Sequence, residues 1–328
     1  MCNELNAPII CLFAAYLRIF LKFPATAIAL FLASRYKRLI DGLNWWIGVG
    51  RKFSMPVVLK ALSFAFCAAC IAEAATPQVA AQVQILAPEL AMPGLDRTRA
   101  VRVYLPPSYA KSRRAYPVLY MHDGQNVFDE LTENKRTWGV DQSLNALAKS
   151  DGLELIVVGI EHGGVQRMKE MNPWKRSWFD DAEGQAYTDF IVKTVKPLID
   201  QRFRTLPDRA HTAIMGSSMG GLISHYAIHQ YRDIFSKAGI FSPSYWFSTG
   251  AYEIVPKMPL PAGTRLYMLV GAKEGSGMTR DFSRMVDLLG LVNGQLIELS
   301  YRLNPEGVHS EILWREEFPA AVRCLFRP

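Results

Sequence analysis

Gly216-Ser217-Ser218-Met219-Gly220 is the stretch best suited to covalent chemistry, because a serine with glycine two residues to either side can project its hydroxyl from a tight turn. A serine hydroxyl is a poor nucleophile at neutral pH. It needs a base within hydrogen-bond reach and an acid that orients that base. In a strand–turn–helix setting the chain order is serine, acid, histidine. Of the six histidines, His122, His162 and His211 precede Ser218. His225 and His229 share one helix face, but no acid lies between Ser218 and His225 or between the two histidines. Their spacing of four could suit a metal, yet no glutamate follows His225 and the surrounding helix is apolar, so ordinary packing is expected. His309, in Asn304-Pro-Glu-Gly-Val-His-Ser, is the expected base.

The acid is sought between Ser218 and His309. Leu266 to Val270 is strand-like and ends in Gly271-Ala-Lys-Glu274-Gly275, so Glu274 stands just past a strand and is the expected acid. Asp281 lies farther on in a helical stretch, and Glu306 is so near His309 that it would need an unusual loop. A tetrahedral oxyanion needs two backbone donors, one from Met219 after the serine and one from a loop after an earlier strand. His122-Asp-Gly-Gln125-Asn-Val-Phe-Asp129 supplies that loop, with the amide of Gln125 preferred and that of Gly124 as the alternative.

These residues require an alternating strand and helix framework. Val101 to Leu105, Pro117 to Met121, Leu155 to Ile160, Thr212 to Met215, Ala238 to Phe241, Leu266 to Val270 and Leu296 to Tyr301 read as strands. Helical spacing runs through Tyr187 to Phe203, where Pro197 predicts a kink, and through Leu222 to Tyr231, Thr279 to Leu289 and Glu311 to Leu325. The alternation implies an α/β fold with a mostly parallel central sheet flanked by helices. Gly216 and Gly220 keep side chains away from the strand and helix around Ser218, and the positive end of the following helix dipole faces the expected oxyanion.

Tyr120-Met-His-Asp-Gly-Gln-Asn-Val-Phe-Asp129, Trp138-Gly-Val-Asp141, Gly216-Ser-Ser-Met-Gly-Gly221, Phe241-Ser-Pro-Ser-Tyr-Trp246 and Gly307-Val-His-Ser-Glu-Ile-Leu-Trp314 together resemble the Putative esterase family of α/β-hydrolases. That family includes siderophore trilactone esterases, feruloyl and acetylxylan esterases, S-formylglutathione hydrolases and mycolyltransferases. The resemblance, from about Val101 to Leu325, implies the α/β-hydrolase fold, a three-layer sandwich without a separate lid domain. It also implies cofactor-free ester cleavage through an acyl-enzyme, with Ser218, Glu274 and His309 as triad and no metal. Many relatives of the wider fold use Asp where Glu274 stands, but orienting an imidazole needs only a carboxylate at the right distance.

Asn126, Trp174 and Trp246 are the expected substrate contacts, since a tryptophan in a loop after a strand could offer a platform to a sugar or aryl acyl group. Core packing is the alternative use of both rings. Arg167, Lys169 and Lys175 suggest an anionic ligand, but Glu170, Asp180 and Asp181 offset them. The expected partner is a small-molecule or saccharide ester. An acyltransferase, and a binding protein without turnover, are the alternatives.

The net charge of +7 and pI near 9.1 do not point to nucleic acid, because the basic excess is local. Before Thr76 there are 8 Lys/Arg against 3 Asp/Glu, and from Thr76 onward 29 against 27. From Met55 the chain shows a short basic start, an apolar run from Ala61 to Ala72, and small residues at Ala72-Glu73-Ala74 and Val79-Ala80-Ala81, the outline of a signal peptide over 55–76. Residues 1–54 then read as a misassigned start or a hydrophobic N-terminal segment, with the catalytic domain over 77–328. The expected destination is periplasmic or secreted. A membrane anchor at Pro8 to Ala33 is the alternative, although Arg18, Lys22 and Pro24 interrupt it, and the segment 1–76 leaves room for transient membrane contact. Four of the five cysteines precede Thr76, so Cys324 has no disulfide partner in the later part. Cys67 and Cys70 have metal-pair spacing but lie in an apolar run without a second pair, and Cys67 disfavours lipidation at Cys70. Oligomeric state is not legible here.

Overall fold

In the computed structural model the described residues are 82–128, 137–175, 179 and 181–327. The readings of residues 1–54 and 55–76, including Pro8 to Ala33 and the Cys67/Cys70 pair, lie outside them. Among the described residues no helix is long and apolar enough to cross a membrane.

Short runs rich in Val, Ile, Leu and Met form strands whose alternate residues face opposite sides. The strands are β1 (Val83–Ile85), β2 (Leu90–Met92), β3 (Arg97–Arg99), β4 (Val101–Tyr104), β5 (Val118–His122), β6 (Ile156–Ile160), β7 (Thr212–Ser217), β8 (Lys237–Phe241), β9 (Thr264–Gly271) and β10 (Ile297–Asn304). Eight of them form one sheet in the order β1-β4-β6-β5-β7-β8-β9-β10, while β2 and β3 make a separate two-stranded sheet. β1 and β6 both pair antiparallel to β4, and every remaining pair of the large sheet is parallel.

The helices are α1 (Val140–Ser150), α2 (Arg167–Glu170), α3 (Gly184–Phe190), α4 (Lys196–Arg202), α5 (Met219–Gln230), α6 (Gly250–Lys257), α7 (Ser276–Asn293) and α8 (Glu311–Phe326). Val118 and Tyr120 of β5 pack with Tyr187 of α3, Leu222 of α5, Val255 of α6 and Met285 of α7. Leu119 and Met121 of the same strand pack with Leu144 of α1 and with Trp314 and Phe318 of α8. The two apolar clusters on opposite faces of the sheet make the three layers of an α/β-hydrolase fold.

The structure departs from the sequence reading at several elements, and β1, α1, α2 and α6 were not read as elements at all. β7 runs to Ser217 and α5 starts at Met219, so the turn around the serine is a single residue. The expected helix Tyr187 to Phe203 is broken into α3, a π-helical turn Ile191–Val195 and α4, with Pro197 in the first turn of α4. Proline has no N–H for the α ladder, and the wider turn absorbs the mismatch. The β2–β3 hairpin went unread because each strand has only three residues, too few to show a period.

Candidate active site

Parallel strands all release their chain at one edge, and that edge is where this fold family gathers its loops. Ser218 follows β7, Ser242 follows β8, Glu274 follows β9 and His309 follows β10. Ser218 has φ 59° and ψ −120°, a conformation that costs on the order of 1–3 kcal/mol and holds the side chain clear of the turn. The turn tolerates nothing larger than glycine at Gly216, where a Cβ would stand 2.8 Å from the backbone of Gly220. The Ser218 amide donates to the Phe241 carbonyl at 2.9 Å, and the Ser218 carbonyl accepts from Leu222 and Ser244.

A pocket of about 230 Å³ is lined by Ser218, His309, Asp123, Asn126, His162 and Arg167, with Trp138, Ser217, Glu311 and Trp314 completing it. His309 Nδ1 is 2.7 Å from Glu274 Oε2, with the histidine side chain 39% exposed and the carboxylate fully buried. The other oxygen, Oε1, accepts from the Ser242 hydroxyl at 2.6 Å and the Gly271 amide at 2.8 Å. The Ser242 hydroxyl in turn accepts from Trp314 Nε1 at 2.9 Å. Trp314 also sets its ring edge-on to His309, at 5.2 Å between centroids, so it meets His309 directly and Glu274 through Ser242. Asp281 and Glu306, the rejected acids, are held elsewhere. Glu306 pairs with Lys273, and Asp281 with Arg280.

Behind the turn, Met219 is the first residue of α5, where the helix offers amides that lack an internal carbonyl partner. Opposite it, Asp123 at φ 56° begins the single helical turn Gly124–Asn126. A Cβ on Gly124 would stand 2.6 Å from the Gly159 carbonyl carbon, which leaves glycine as the residue that lets this loop sit against β6. The Gln125 side chain accepts from the His162 amide at 3.0 Å, tying the loops after β5 and β6 together.

Arg167 and Asp123 form a two-pronged ion pair at 2.6 and 2.9 Å on the pocket wall. The helix that carries Arg167 is anchored by Glu170, fully buried between Arg99 at 2.5 Å and Arg97 at 2.9 Å, while Arg97 also binds Glu183. The β2–β3 hairpin thus fixes the His162–Arg167 side of the pocket. Under the turn, His122 is bonded through Nδ1 to Tyr187 at 2.8 Å, and burial pushes its pKa down to about 4. The rings of His225 and His229 lie 4.8 Å apart between centroids, tilted by 53°, with nitrogens bonded to the carbonyls of Ala251 and Met258. Burial lowers both, His229 to about 4.

Of the expected substrate contacts, Asn126 lines the pocket. Trp174 and Trp246 do not. Trp174 is half-buried, edge-on to Tyr226 and pressed on Gly250, and it takes the packing role. Trp246 is 54% exposed on the short turn Tyr245–Phe247, outside the pocket lining. The aromatic residues that do line it are Trp138 and Trp314. Sequence reasoning missed Ser242, Ser244 and Trp314. Ser244 Oγ lies 3.3 Å from Ser218 Oγ. Both serines and Trp314 fall inside motifs already quoted, where their position beside Ser218 and His309 was the available signal.

A serine on a strained strand–helix turn, sharing a pocket with a carboxylate-bonded histidine, defines the serine-hydrolase class of active site. Residues 93–325 match the Putative esterase family, and the chain belongs to that family of carboxylic ester hydrolases. It is 31% identical over 183 residues to the uncharacterized protein YbbA of Bacillus subtilis strain 168, covering 54% of this chain and 69% of that protein. Its fold matches an IroE-like serine hydrolase from Shewanella oneidensis with a TM-score of 0.62 at 23% identity, over 75% of this chain and 80% of that one. It also matches the enterobactin esterase FES from Shigella flexneri, crystallised with 2,3-dihydroxy-N-benzoyl-glycine, with a TM-score of 0.60 at 18% identity, over 75% and 59% of the two chains.

Proposed function

We propose that this esterase works through an acyl-enzyme, with Ser218 as nucleophile, His309 as base and Glu274 as the acid that orients it. The observation that carries the reading is the His309–Glu274 bond of 2.7 Å in the same pocket as a serine held at φ 59°. In the first half-reaction the Ser218 oxygen attacks the ester carbonyl and its proton passes to His309 Nε2. The negative charge then forming on the carbonyl oxygen meets the amides of Met219 and Gln125, with Gly124 as the alternative to the second donor. Collapse breaks the ester C–O bond, and His309 returns the proton to the leaving alcohol. Water, deprotonated by the same imidazole, then releases the acid and restores Ser218.

The small, largely polar pocket with Asn126, His162 and Arg167 on one wall suits an acyl group or alcohol rich in oxygen, as in carbohydrate, aryl and siderophore esters. Export through the segment 55–76 belongs to the same reading, and N-terminal sequencing of the protein recovered from cells tests it. The chemical test is quenched turnover of a nitrophenyl ester followed by peptide mass mapping. A single acyl adduct on the peptide carrying Ser218 is expected. Turnover with the adduct elsewhere sinks the assignment. A panel of acetylated xylan, feruloyl sugar and catecholate trilactone then ranks substrates, and repeating it with a sugar acceptor separates hydrolysis from acyl transfer.

A further inference from the structure

β10 ends the large sheet among the described residues, and its free side is long for an edge, eight residues from Ile297 to Asn304. An edge of this length exposes a row of N–H and C=O groups that natural sheets cover, interrupt or pair. It also carries exposed apolar side chains. Tyr301 is 61% and Leu303 51% exposed, and Leu296 just before the strand is 60% exposed. The two faces of β10 have different characters. Ile297 and Leu299 pack into the same cluster as α7, so Tyr301 and Leu303 continue an apolar row by strand alternation. Glu298, Ser300 and Arg302 face α8, where they meet Arg327, Cys324 and Glu317 respectively.

Read from each end toward Ser300, the strand complements itself. Placed antiparallel to a second copy with the two-fold axis at Ser300, Ile297 falls opposite Leu303, Glu298 opposite Arg302, and Leu299 opposite Tyr301, each pair occurring twice. Directly opposed side chains in an antiparallel pair stand about 4.5–5.5 Å apart, close enough for both apolar and charge contacts. Glu298 and Arg302 keep 42% and 54% of their side chains exposed despite their internal partners, so each can take a second one. In this register Leu296 of the partner subunit lies opposite Asn304, where the loop to His309 begins.

We infer that β10 is a self-complementary interface: two copies of this chain pair antiparallel along Ile297–Asn304 and join their sheets into one. Such an isologous contact is closed and stops at the dimer. Each dimer carries two copies of the Glu298–Arg302 contact, so reversing either charge places like charges together twice.

Analytical ultracentrifugation of the full chain tests this. The wild type is expected to sediment at twice its 36.9 kDa chain mass at roughly 50 µM. Arg302→Glu and Glu298→Arg, each alone, are expected to weaken that association by roughly tenfold or more. An equal mixture of the two variants restores it, because a strand acidic at both positions then lies against a strand basic at both. A monomeric wild type overturns the inference, as does a dimer that both variants retain or folded variants whose mixture stays monomeric. If the variants do not fold, hydrogen exchange of the wild type decides: β10 amides should lose protection on dilution to the monomer. Protection that is independent of concentration, as when another segment of the same chain covers the edge, overturns it.

Discussion

The mouth of the pocket and the layer beneath the Ser218 turn are both furnished with histidine, and they use it in opposite ways. At the mouth, His309 is partly open to solvent and bonded to a carboxylate that can balance a positive imidazolium. Beneath the turn, His122, His225 and His229 are buried, and their partners are a tyrosine hydroxyl and backbone carbonyls. Burial disfavours the charged form, and for His122 it outweighs the neighbouring Asp123 carboxylate, so these three act as neutral, shape-filling groups. What separates the proposed acid–base histidine from the structural ones is therefore the partner and the access to water, with the side chain itself unchanged.

The sharpest test of the contrast is a paired substitution. His309→Ala is expected to lower kcat for a nitrophenyl ester by roughly a thousandfold or more. His229→Asn should leave kcat of the folded enzyme within about threefold while costing about 1–3 kcal/mol of stability, since it disturbs a buried hydrogen bond. Equal losses of turnover in the two variants would erase the distinction. Glu274→Gln comes next, with a loss on the order of a hundred- to ten-thousandfold, because an amide cannot stabilise the imidazolium and favours the wrong tautomer. Glu274→Asp should recover part of that activity, measured side by side in the same assay.

The lower layer should announce itself in the pH dependence of stability. His122 and His229 have folded pKa values pushed down to about 4 from 6.5, so the unfolded chain takes up protons first as the pH falls. Their contribution is intact above pH 6.5 and is lost between 6.5 and about 4, at about 1.4 kcal/mol per pH unit for each. Thermal melts at pH 7.5 and 5.5 should therefore differ by roughly 5–10 °C. A flat Tm, or one that rises on acidification, would contradict the neutral assignment.

The smallest expected effect concerns the groups behind the acid. Ser242→Ala removes a donor to the buried Glu274 carboxylate, a bond worth about 1.5–3 kcal/mol, and should lower kcat by roughly ten- to a hundredfold with little change in KM. A positioning role also requires the acid limb of the pH–rate profile to move. Unchanged pH dependence with lower kcat would leave Ser242 a packing residue only. Trp314→Phe, which removes the indole N–H and keeps the ring beside His309, should give a smaller loss in the same direction.

The Ser218 turn, the strand end before Glu274, and the alternation of strands and helices were legible in the chain because each is local. A turn of one conformation demands glycines at fixed offsets, and a strand end is marked within a few residues. The layer order of the sheet was legible only as a class, and the three-residue hairpin that anchors the Arg167 helix was not legible at all. Composition of the pocket wall belonged to the tertiary structure. Asp123, His162, Arg167, His309 and Trp314 meet there from loops and two helices in three separate stretches of the chain, and no spacing rule links those stretches. The same distance explains the tryptophans. Trp174 and Trp246 sit in loops of the right kind, but packing on Gly250 and the direction of a short turn decided that neither reaches the pocket lining. Ser242 and Trp314 stood in plain view within their motifs, 72 positions apart, and only folding joined them in the hydrogen-bond chain that ends on the Glu274 carboxylate. Sequence names the groups able to react; which neighbours hold, neutralise or enclose them depends on contacts that exist once the chain has closed on itself.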